Sequence, residues 1–248
     1  MRIAALYDIH GNLPALEAVL DDVRAAGVDE VVMGGDVLPG PMPAECVERL
    51  LGLDLPIRFI HGNGDRAVLQ RKRGVESGEY PASLGEVMEW NAAQISSAQQ
   101  AVLEGWPSTV RAEVPGLGRV LFCHATPRND TEIFTALTPA ERLHAVFDGV
   151  EADVVVCGHT HMPFERTVGG LRVVNAGSVG MPFGPAGADW LLLGPDIDFR
   201  HTDYDLEAAA AAVRATAYPQ AESFAANNVL VPPSAAAMLE ALEKGAVR

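Results

Sequence analysis

Short apolar runs, each closed by a polar motif, set the pattern of this chain. Residues 3–7, 31–33, 57–60, 120–123 and 154–157 are continuous stretches of Ile, Val, Leu, Ala, Met, Cys and aromatic residues broken once, by Arg58. Such runs are too short for amphipathic helices and read as strands buried on both faces. The motifs that follow them are DIHGN from Asp8 to Asn12, GGD ending at Asp36, GNGD from Gly62 to Asp65, CHATP around His124, and GHTH from Gly158 to His161. Segments leaving the strand ends of an open α/β sheet share one rim, and the functional site is built there.

The rest of the chain fits the same frame. Leu13, Leu16, Val19, Leu20 and Val23 recur at helical spacing over residues 13–26, with Asn12 as the N-cap candidate and Pro14 in the first turn. A strand at 30–33, a helix near 43–51 and a strand at 57–60 continue the alternation and predict a parallel sheet with right-handed crossovers. Residues 66–108 break it with a basic patch (Arg66, Arg71, Lys72, Arg73), a loop containing Gly74, Gly78 and Pro81, and a polar helical stretch over about 84–104. That segment predicts a helical excursion over the sheet edge. The second half reads as strand pairs, 109–114 with 119–123, 165–168 with 171–174, and 190–193 with 197–201, the first two joined by PGLG and GG. An Ala-rich helix at 206–217 and another near 234–244 form a C-terminal helical tail over about 204–248. The expectation is a single α/β domain over residues 1–248, a four-layer αββα sandwich in which two mixed β-sheets pack face to face with helices outside.

Composition narrows the function. With 248 residues, 48% of them hydrophobic, the chain can bury one large core. Its net charge of −15 argues against a nucleic-acid docking surface, which needs a basic stripe. A small anionic substrate stays open, because bound divalent cations would set the local field. Nowhere do eighteen apolar residues run together, so no membrane span is expected. The apolar stretch before the first motif is too short for a signal peptide, and the reading is cytoplasmic. Cys46, Cys123 and Cys157 lack zinc-type spacing and read as reduced, buried thiols. The oligomeric state is open, a homo-oligomer included.

Asp8 and His10 stand two apart, so on an extended strand end they project to the same side, a carboxylate and an imidazole suited to a borderline metal ion. A lone DxH triplet is more often a turn Asp beside a surface His. His159 and His161 repeat the spacing, however, and four of the seven histidines (His10, His124, His159, His161) follow strand signals beside Asp36 and Asn63. The bland reading would have to hold four times over.

The order DxH, GD, GN(H or C)D, GH, GHxH resembles the calcineurin-like metallophosphoesterases, over roughly residues 1–182. DIHGN, NAGSVGMP and the Tyr204–Asp205 pair are similar to the small bacterial phosphodiesterase-like branch of that family. The resemblance implies two divalent ions, one held by Asp8, His10, Asp36 and His161, the other by Asp36, Asn63, His124 and His159, with Asp36 bridging. Manganese is the first expectation; Fe, Ni, Co and Zn accept the same donors. It further implies a metal-bridging hydroxide as the nucleophile, with Asn63 and His124 near the phosphate. Two divalent ions, two carboxylates and one hydroxide would leave a single positive charge, matched to a phosphodiester. Since only neutral imidazole binds metal, metal loss is expected below the unperturbed imidazole value of about 6.5.

Gly64 departs from the pattern. Many relatives carry a histidine there that is thought to protonate the leaving group, oriented by the following Asp; here Asp65 has no such partner. General acid catalysis contributes about 10²–10⁴-fold, so its loss favours diesters or good leaving groups. His61 is a candidate substitute, weighed against a structural role. Asn12 is a phosphate contact or an N-cap, and Asn175 stands behind a metal ligand. Tyr80, Trp90 and Trp106 form a stacking wall or simply pack their helices, and the basic patch draws in anions or is a solvated face. The leading reading is a binuclear metal-dependent phosphodiesterase acting on a small phosphate ester. A dinucleotide polyphosphate hydrolase or a phosphomonoesterase on the same centre is the alternative. A protein phosphatase is disfavoured, because the chain has GGDVLPG and GNGD where those enzymes show GDxVDRG and GNHE. A non-catalytic scaffold, the role of a retromer subunit with similar motifs, is disfavoured by the complete ligand set.

Overall fold

The computed structural model describes residues 1–75 and 80–247; Gly78, assigned above to a loop, lies outside them. The first half runs β1 (Ile3–Leu6), α1 (Leu13–Ala26), β2 (Glu30–Met33), α2 (Pro43–Leu51), β3 (Ile57–Phe59), α3 (Asn63–Lys72), α4 (Gly85–Gln94) and α5 (Ser97–Leu103). The second half runs β4 (Thr109–Val114), β5 (Gly118–Cys123), α6 (Ala140–Phe147), β6 (Val154–Cys157), β7 (Pro163–Val168), β8 (Leu171–Ala176), β9 (Ala188–Leu193), β10 (Ile197–Thr202), α7 (Leu206–Arg214), α8 (Ala221–Phe224) and α9 (Ala235–Glu243).

Two five-stranded sheets result, ordered β10-β9-β1-β2-β3 and β4-β5-β6-β8-β7. Each sheet contains three adjacent parallel strands, β1-β2-β3 at one side of the first sheet and β5-β6-β8 at the centre of the second. Antiparallel hairpins close both edges of the second sheet and the β10 edge of the first, whose other edge is the parallel strand β3. Alternation along the strands explains the layers. In β1, Ile3 and Ala5 face the second sheet and meet Val120, Phe122, Val154 and Val156, while Ala4 and Leu6 face outward onto Leu16, Val19 and Leu20 of α1. In the second sheet, Leu121, Val155 and Val173 face outward onto Leu143, Val146 and Phe147 of α6. Strands buried on both faces are the reason the runs read as continuously apolar. The four layers expected from the sequence are present.

The segment read as an excursion is α3, α4 and α5, and its apolar side chains Val68, Met88, Ile95 and Leu103 share one core with α1 and α2. The single helical stretch expected over 84–104 breaks at Ile95, where Ser96 and Gln99 form a capping box that starts α5. Helices α6 and α8, and a π-helical turn at Ala225–Leu230, have no counterpart in the sequence reading. Trp106 stacks on Phe59 and Trp90 packs edge-on to Tyr218, so both serve the helices rather than a ligand wall. The basic patch is engaged as well: Arg66 with Asp130, Arg71 with Glu89, Arg73 with Glu104, and Lys72 with the Ala92 carbonyl. All three cysteines are buried and unpaired. Among the described residues no helix is long and apolar enough to cross a membrane.

Candidate metal centre

The five motifs converge where the parallel strands of both sheets end. Asp8, His10, Asp36, His159 and His161 do not continue their strands in extended form; their φ angles are 55°, 46°, 53°, 66° and 58°, all left-handed. No other described non-glycine residue has positive φ. The pairs DxH and HxH therefore project together through tight turns rather than along an extended strand end. Backbone bonds hold the turns: Asp8 N–H donates to Gly35 O (3.1 Å), His10 N–H to Asp36 O (3.0 Å), and Gly158 N–H to His124 O (2.8 Å). The β8–β9 connection wraps the first motif, with Ser178 Oγ donating to Asp8 O (2.8 Å) and Val179 N–H to Tyr7 O (2.9 Å). Gly158 has to lack a side chain, since a Cβ there would stand 2.4 Å from Asp8 Oδ2.

Two groups of ligand atoms form, Asp8 with His10 and His161, and Asp8 with Asp36 and His124. Asp8 Oδ1 is 3.4 Å from His161 Nε2 and 3.9 Å from both His10 Nε2 and His124 Nε2. Asp36 Oδ2 is 3.8 Å from His10 Nε2 and 3.6 Å from His124 Nε2. Both carboxylates thus lie between the histidines, not Asp36 alone. Asn63 Oδ1 is 2.9 Å from His124 Nε2. The His159 ring lies outside both groups, 5.1 Å from the His124 ring, while its backbone N–H donates to Asp8 Oδ2 (2.8 Å).

Three histidines are held in one tautomer. His10 Nδ1 faces Pro39 O (3.2 Å), His124 Nδ1 faces Gly34 O (3.0 Å) and His161 Nδ1 faces Met181 O (2.8 Å). A carbonyl can only accept, so each Nδ1 carries the hydrogen and each Nε2 presents a bare lone pair to the centre. His10 Nε2 and His161 Nε2 then oppose each other at 3.2 Å, and the buried Asp8 Oδ1 has no hydrogen-bond partner. Lone pairs converging in a buried space repel unless a cation lies among them, which is the fit a divalent metal requires. Burial, with the neighbouring His161, pulls the His10 imidazole down to about 3. Burial, with His124, pulls His159 down to about 3 as well. For His10 and His159 the neutral, ligand-competent form therefore extends well below the unperturbed value used in the sequence reading, whereas at His161 burial is outweighed by the adjacent Asp8, which raises the imidazole. Burial and the adjacent Asp8 hold Asp36 well above the usual carboxylate range.

The remaining sequence candidates surround this centre. Asn12 is fully buried: its oxygen caps α1 at Ala15 N–H (3.3 Å) and its Nδ2 donates to Gly180 O (3.0 Å) and Tyr204 Oη (3.3 Å), so it braces the fold instead of reaching a phosphate. Asp65 accepts from the backbone N–H groups of Asp36 (2.9 Å), Gly62 (2.9 Å) and Leu38 (3.0 Å), fixing the ligand loop. Burial and Asp36 push its carboxyl up to about 7, against the pull of those donors. His61 turns to Asp130, with Nδ1 3.7 Å from Oδ2. Asn175 donates to Gly158 O (2.6 Å) and Thr160 Oγ1 (3.0 Å) and accepts from Gly177 N–H (2.9 Å), holding the GHTH turn. At Gly64 a Cβ would stand 2.3 Å from the Leu38 carbonyl oxygen, so the GGDVLPG loop occupies the space a side chain there would need.

Sequence reasoning missed Asn91. Its Oδ1 accepts from Gly40 N–H (3.0 Å) and its Nδ2 donates to Val87 O (2.9 Å), tying α4 to the loop whose Pro39 carbonyl orients His10. An Asn in a polar helix carries no local signal of such a role. A cavity of about 720 Å³ between α6 and the β7–β8 turn, lined by His144, Phe147, Asp148 and Leu171, lies at the opposite strand ends and holds none of the motif residues.

Two mixed sheets that deliver imidazoles with aligned lone pairs and two shared carboxylates to one rim define a metal-dependent hydrolase centre. The calcineurin-like phosphoesterase superfamily profile matches residues 1–194, and the chain belongs to that superfamily as a metal-dependent phosphoester hydrolase. An uncharacterized protein of Methanocaldococcus jannaschii is 32% identical over 179 residues, 71% of this chain and 69% of that protein. The phosphodiesterase YfcE of Escherichia coli is 28% identical over 206 residues, 79% of this chain and 89% of that protein. A metallophosphoesterase crystal structure from Sphaerobacter thermophilus is 28% identical and superposes with a TM-score of 0.71, covering 91% of this chain and 97% of its own. A hypothetical protein of Pyrococcus horikoshii shares the fold at 19% identity, with a TM-score of 0.77 over 94% of this chain and 99% of its own.

Proposed function

We propose that this protein is a binuclear phosphodiesterase that hydrolyses a small phosphate ester. The observation that carries the reading is the pair of bare Nε2 atoms 3.2 Å apart beside the unpartnered Asp8 Oδ1, an arrangement that a cation reconciles. Asp8, His10 and His161 would hold one ion and Asp36, Asn63 and His124 the other, with Asp8 and Asp36 both within reach of the two sets and His159 completing the second by a ring rotation. Bound divalent ions supply Lewis acidity and an activated water. The chain's own contribution is to keep His10 and His159 neutral, to orient His10, His124 and His161 through backbone carbonyls, and to fix the Asp36 and Asn63 oxygens through Asp65 and the start of α3.

Diesters are favoured over monoesters for two reasons. No side chain stands at Gly64 to protonate a poor leaving group, and the loop packed against that position leaves no room for one. A diester also carries one negative charge rather than two, which lessens repulsion with an anionic nucleophile. The fit of this reading with YfcE, named a phosphodiesterase, supports it further. The test is metal-stripped protein titrated with Mn²⁺, assayed on bis(4-nitrophenyl) phosphate and 4-nitrophenyl phosphate, with elemental analysis. Two ions per chain and diester turnover that requires them are expected. Full activity without metal, or a strong monoester preference, would refute the proposal.

A further inference from the structure

Tyr80 stands beside the start of α3, with its hydroxyl bonded to Asn63 Nδ2. The amide nitrogen donates, so the phenol oxygen accepts and fixes the Asn63 amide with its oxygen turned toward His124. A phenol carries one hydrogen of its own. Among the described residues no acceptor takes it. The ring is half-buried against the core shared by α3 and α4, which holds the hydroxyl at the rim. Of the other groups near Asn63, Gly64 has no side chain, Asp65 faces three backbone amides, and the His61 ring turns to Asp130, with Nδ1 3.7 Å from its carboxylate and not hydrogen-bonded.

We propose that Tyr80 donates a hydrogen bond from its hydroxyl to the leaving-group oxygen of the phosphoester, at the place where the start of α3 offers no general acid. This rests on the phosphoesterase reading above. As an oxygen derived from water forms a bond to phosphorus, the ester P–O bond breaks and its electron pair moves to the leaving oxygen. The Tyr80 hydrogen bond stabilises that developing charge; water supplies the proton that completes the alcohol, and Tyr80 keeps its own.

The experiment is Tyr80→Phe, which keeps the ring and its packing, in Mn²⁺-loaded protein. Methyl phenyl phosphate, with the poorer leaving group, is expected to lose about 10²-fold in kcat, and methyl 4-nitrophenyl phosphate under about 5-fold. Orthovanadate, whose apical oxygens imitate the attacking and leaving positions, is expected to bind about tenfold more weakly. Because Tyr80 also fixes the Asn63 amide, Mn²⁺ affinity is expected to fall by up to about tenfold, and turnover is therefore compared at saturating Mn²⁺. Equal losses on both esters, unchanged vanadate affinity, or turnover that saturating Mn²⁺ restores would each overturn the role. Wild-type protein inactive on both esters would instead overturn the phosphodiesterase reading itself.

Discussion

Replacing Asp65 with Asn isolates the clamp beneath the metal centre. The carboxylate accepts three backbone hydrogens, two on Oδ2 from Asp36 and Gly62 and one on Oδ1 from Leu38, all within 3.0 Å. An Asn oxygen can keep the first two, but its amide NH₂ then faces the Leu38 N–H, donor against donor. One orphaned buried donor costs about 1–3 kcal/mol, and lost charge assistance in the other two bonds adds roughly 1. The expected destabilisation is about 3 kcal/mol near neutral pH, read by urea unfolding of metal-free protein. Because burial and Asp36 push the folded carboxyl up to about 7, the folded state holds its proton while the unfolded chain releases one near 4. Wild-type stability therefore falls as pH rises from about 4 to about 7, a slope the amide lacks, and the gap between the two proteins narrows over that window. Asp65 also fixes the loop carrying Asp36, so Mn²⁺ affinity should fall about 10–100-fold. A stability change below about 0.5 kcal/mol together with unaltered Mn²⁺ binding would show that the clamp is dispensable.

Asn91→Ala leaves Gly40 N–H orphaned and removes two bonds, for an expected loss of about 2–4 kcal/mol in urea unfolding. Because the same loop orients His10, its Mn²⁺ affinity should fall too; stability loss with full metal affinity would disconnect α4 from the centre. His201 donates to Asp189 (2.7 Å) and Ala186 O (3.2 Å), with Asp203 3.9 Å away, and despite partial burial these acceptors raise its imidazole above the usual value. Its contribution is present in full below about pH 6.5 and is lost as pH rises through the folded value; for a side chain this exposed it amounts to under about 1 kcal/mol. The gap between wild type and His201→Gln should therefore shrink from pH 6 to pH 9, and a constant gap would contradict the ion pair.

What the sequence revealed and what it hid divide along local and non-local causes. Strands buried on both faces leave continuous apolar runs, so β1, β2, β5 and β6 and the motifs closing them were legible from residue type alone. Helix α3 was not: it opens with Asn63, Gly64 and Asp65, turn-like residues whose helical state depends on Asp65 capping Gly62 N–H. Nor was the break at Ile95, since its capping box lies in a stretch, residues 86–104, that contains neither Gly nor Pro. Among site residues, the imidazoles and carboxylates were recognisable by spacing. Asn12, read as a phosphate contact or an N-cap, takes the N-cap, and Asp65 clamps backbone amides; their further bonds come from residues 27 or more positions away in the chain, as with Gly180 and Leu38, and leave no local signal. Tyr80 was read as a stacking or packing residue; its ring does pack on the core, while its hydroxyl is engaged by Asn63.

The left-handed ligands add an energetic step that spacing does not show. Asp8, His10, Asp36, His159 and His161 each hold a conformation that costs a non-glycine residue about 1 kcal/mol or more, so the rim carries on the order of 5 kcal/mol of strain. That approaches the lower end of the net stability of a whole domain, about 5–15 kcal/mol. Converging lone pairs at His10, His161 and Asp8 add repulsion that, besides a metal, only a proton on His161 relieves, and against burial the adjacent Asp8 raises that imidazole. Only the cores on either side of β1 and β6, buried almost completely, can hold five such turns in place. The metal-free rim is thus the least stable part of a rigid frame, and a cation that binds the folded state alone stabilises it by mass action. Ligand geometry set in advance by the sheets means that binding needs little rearrangement. It also means that substitutions far from the rim, such as Asn91→Ala, reach the metal through the backbone carbonyls that hold each imidazole.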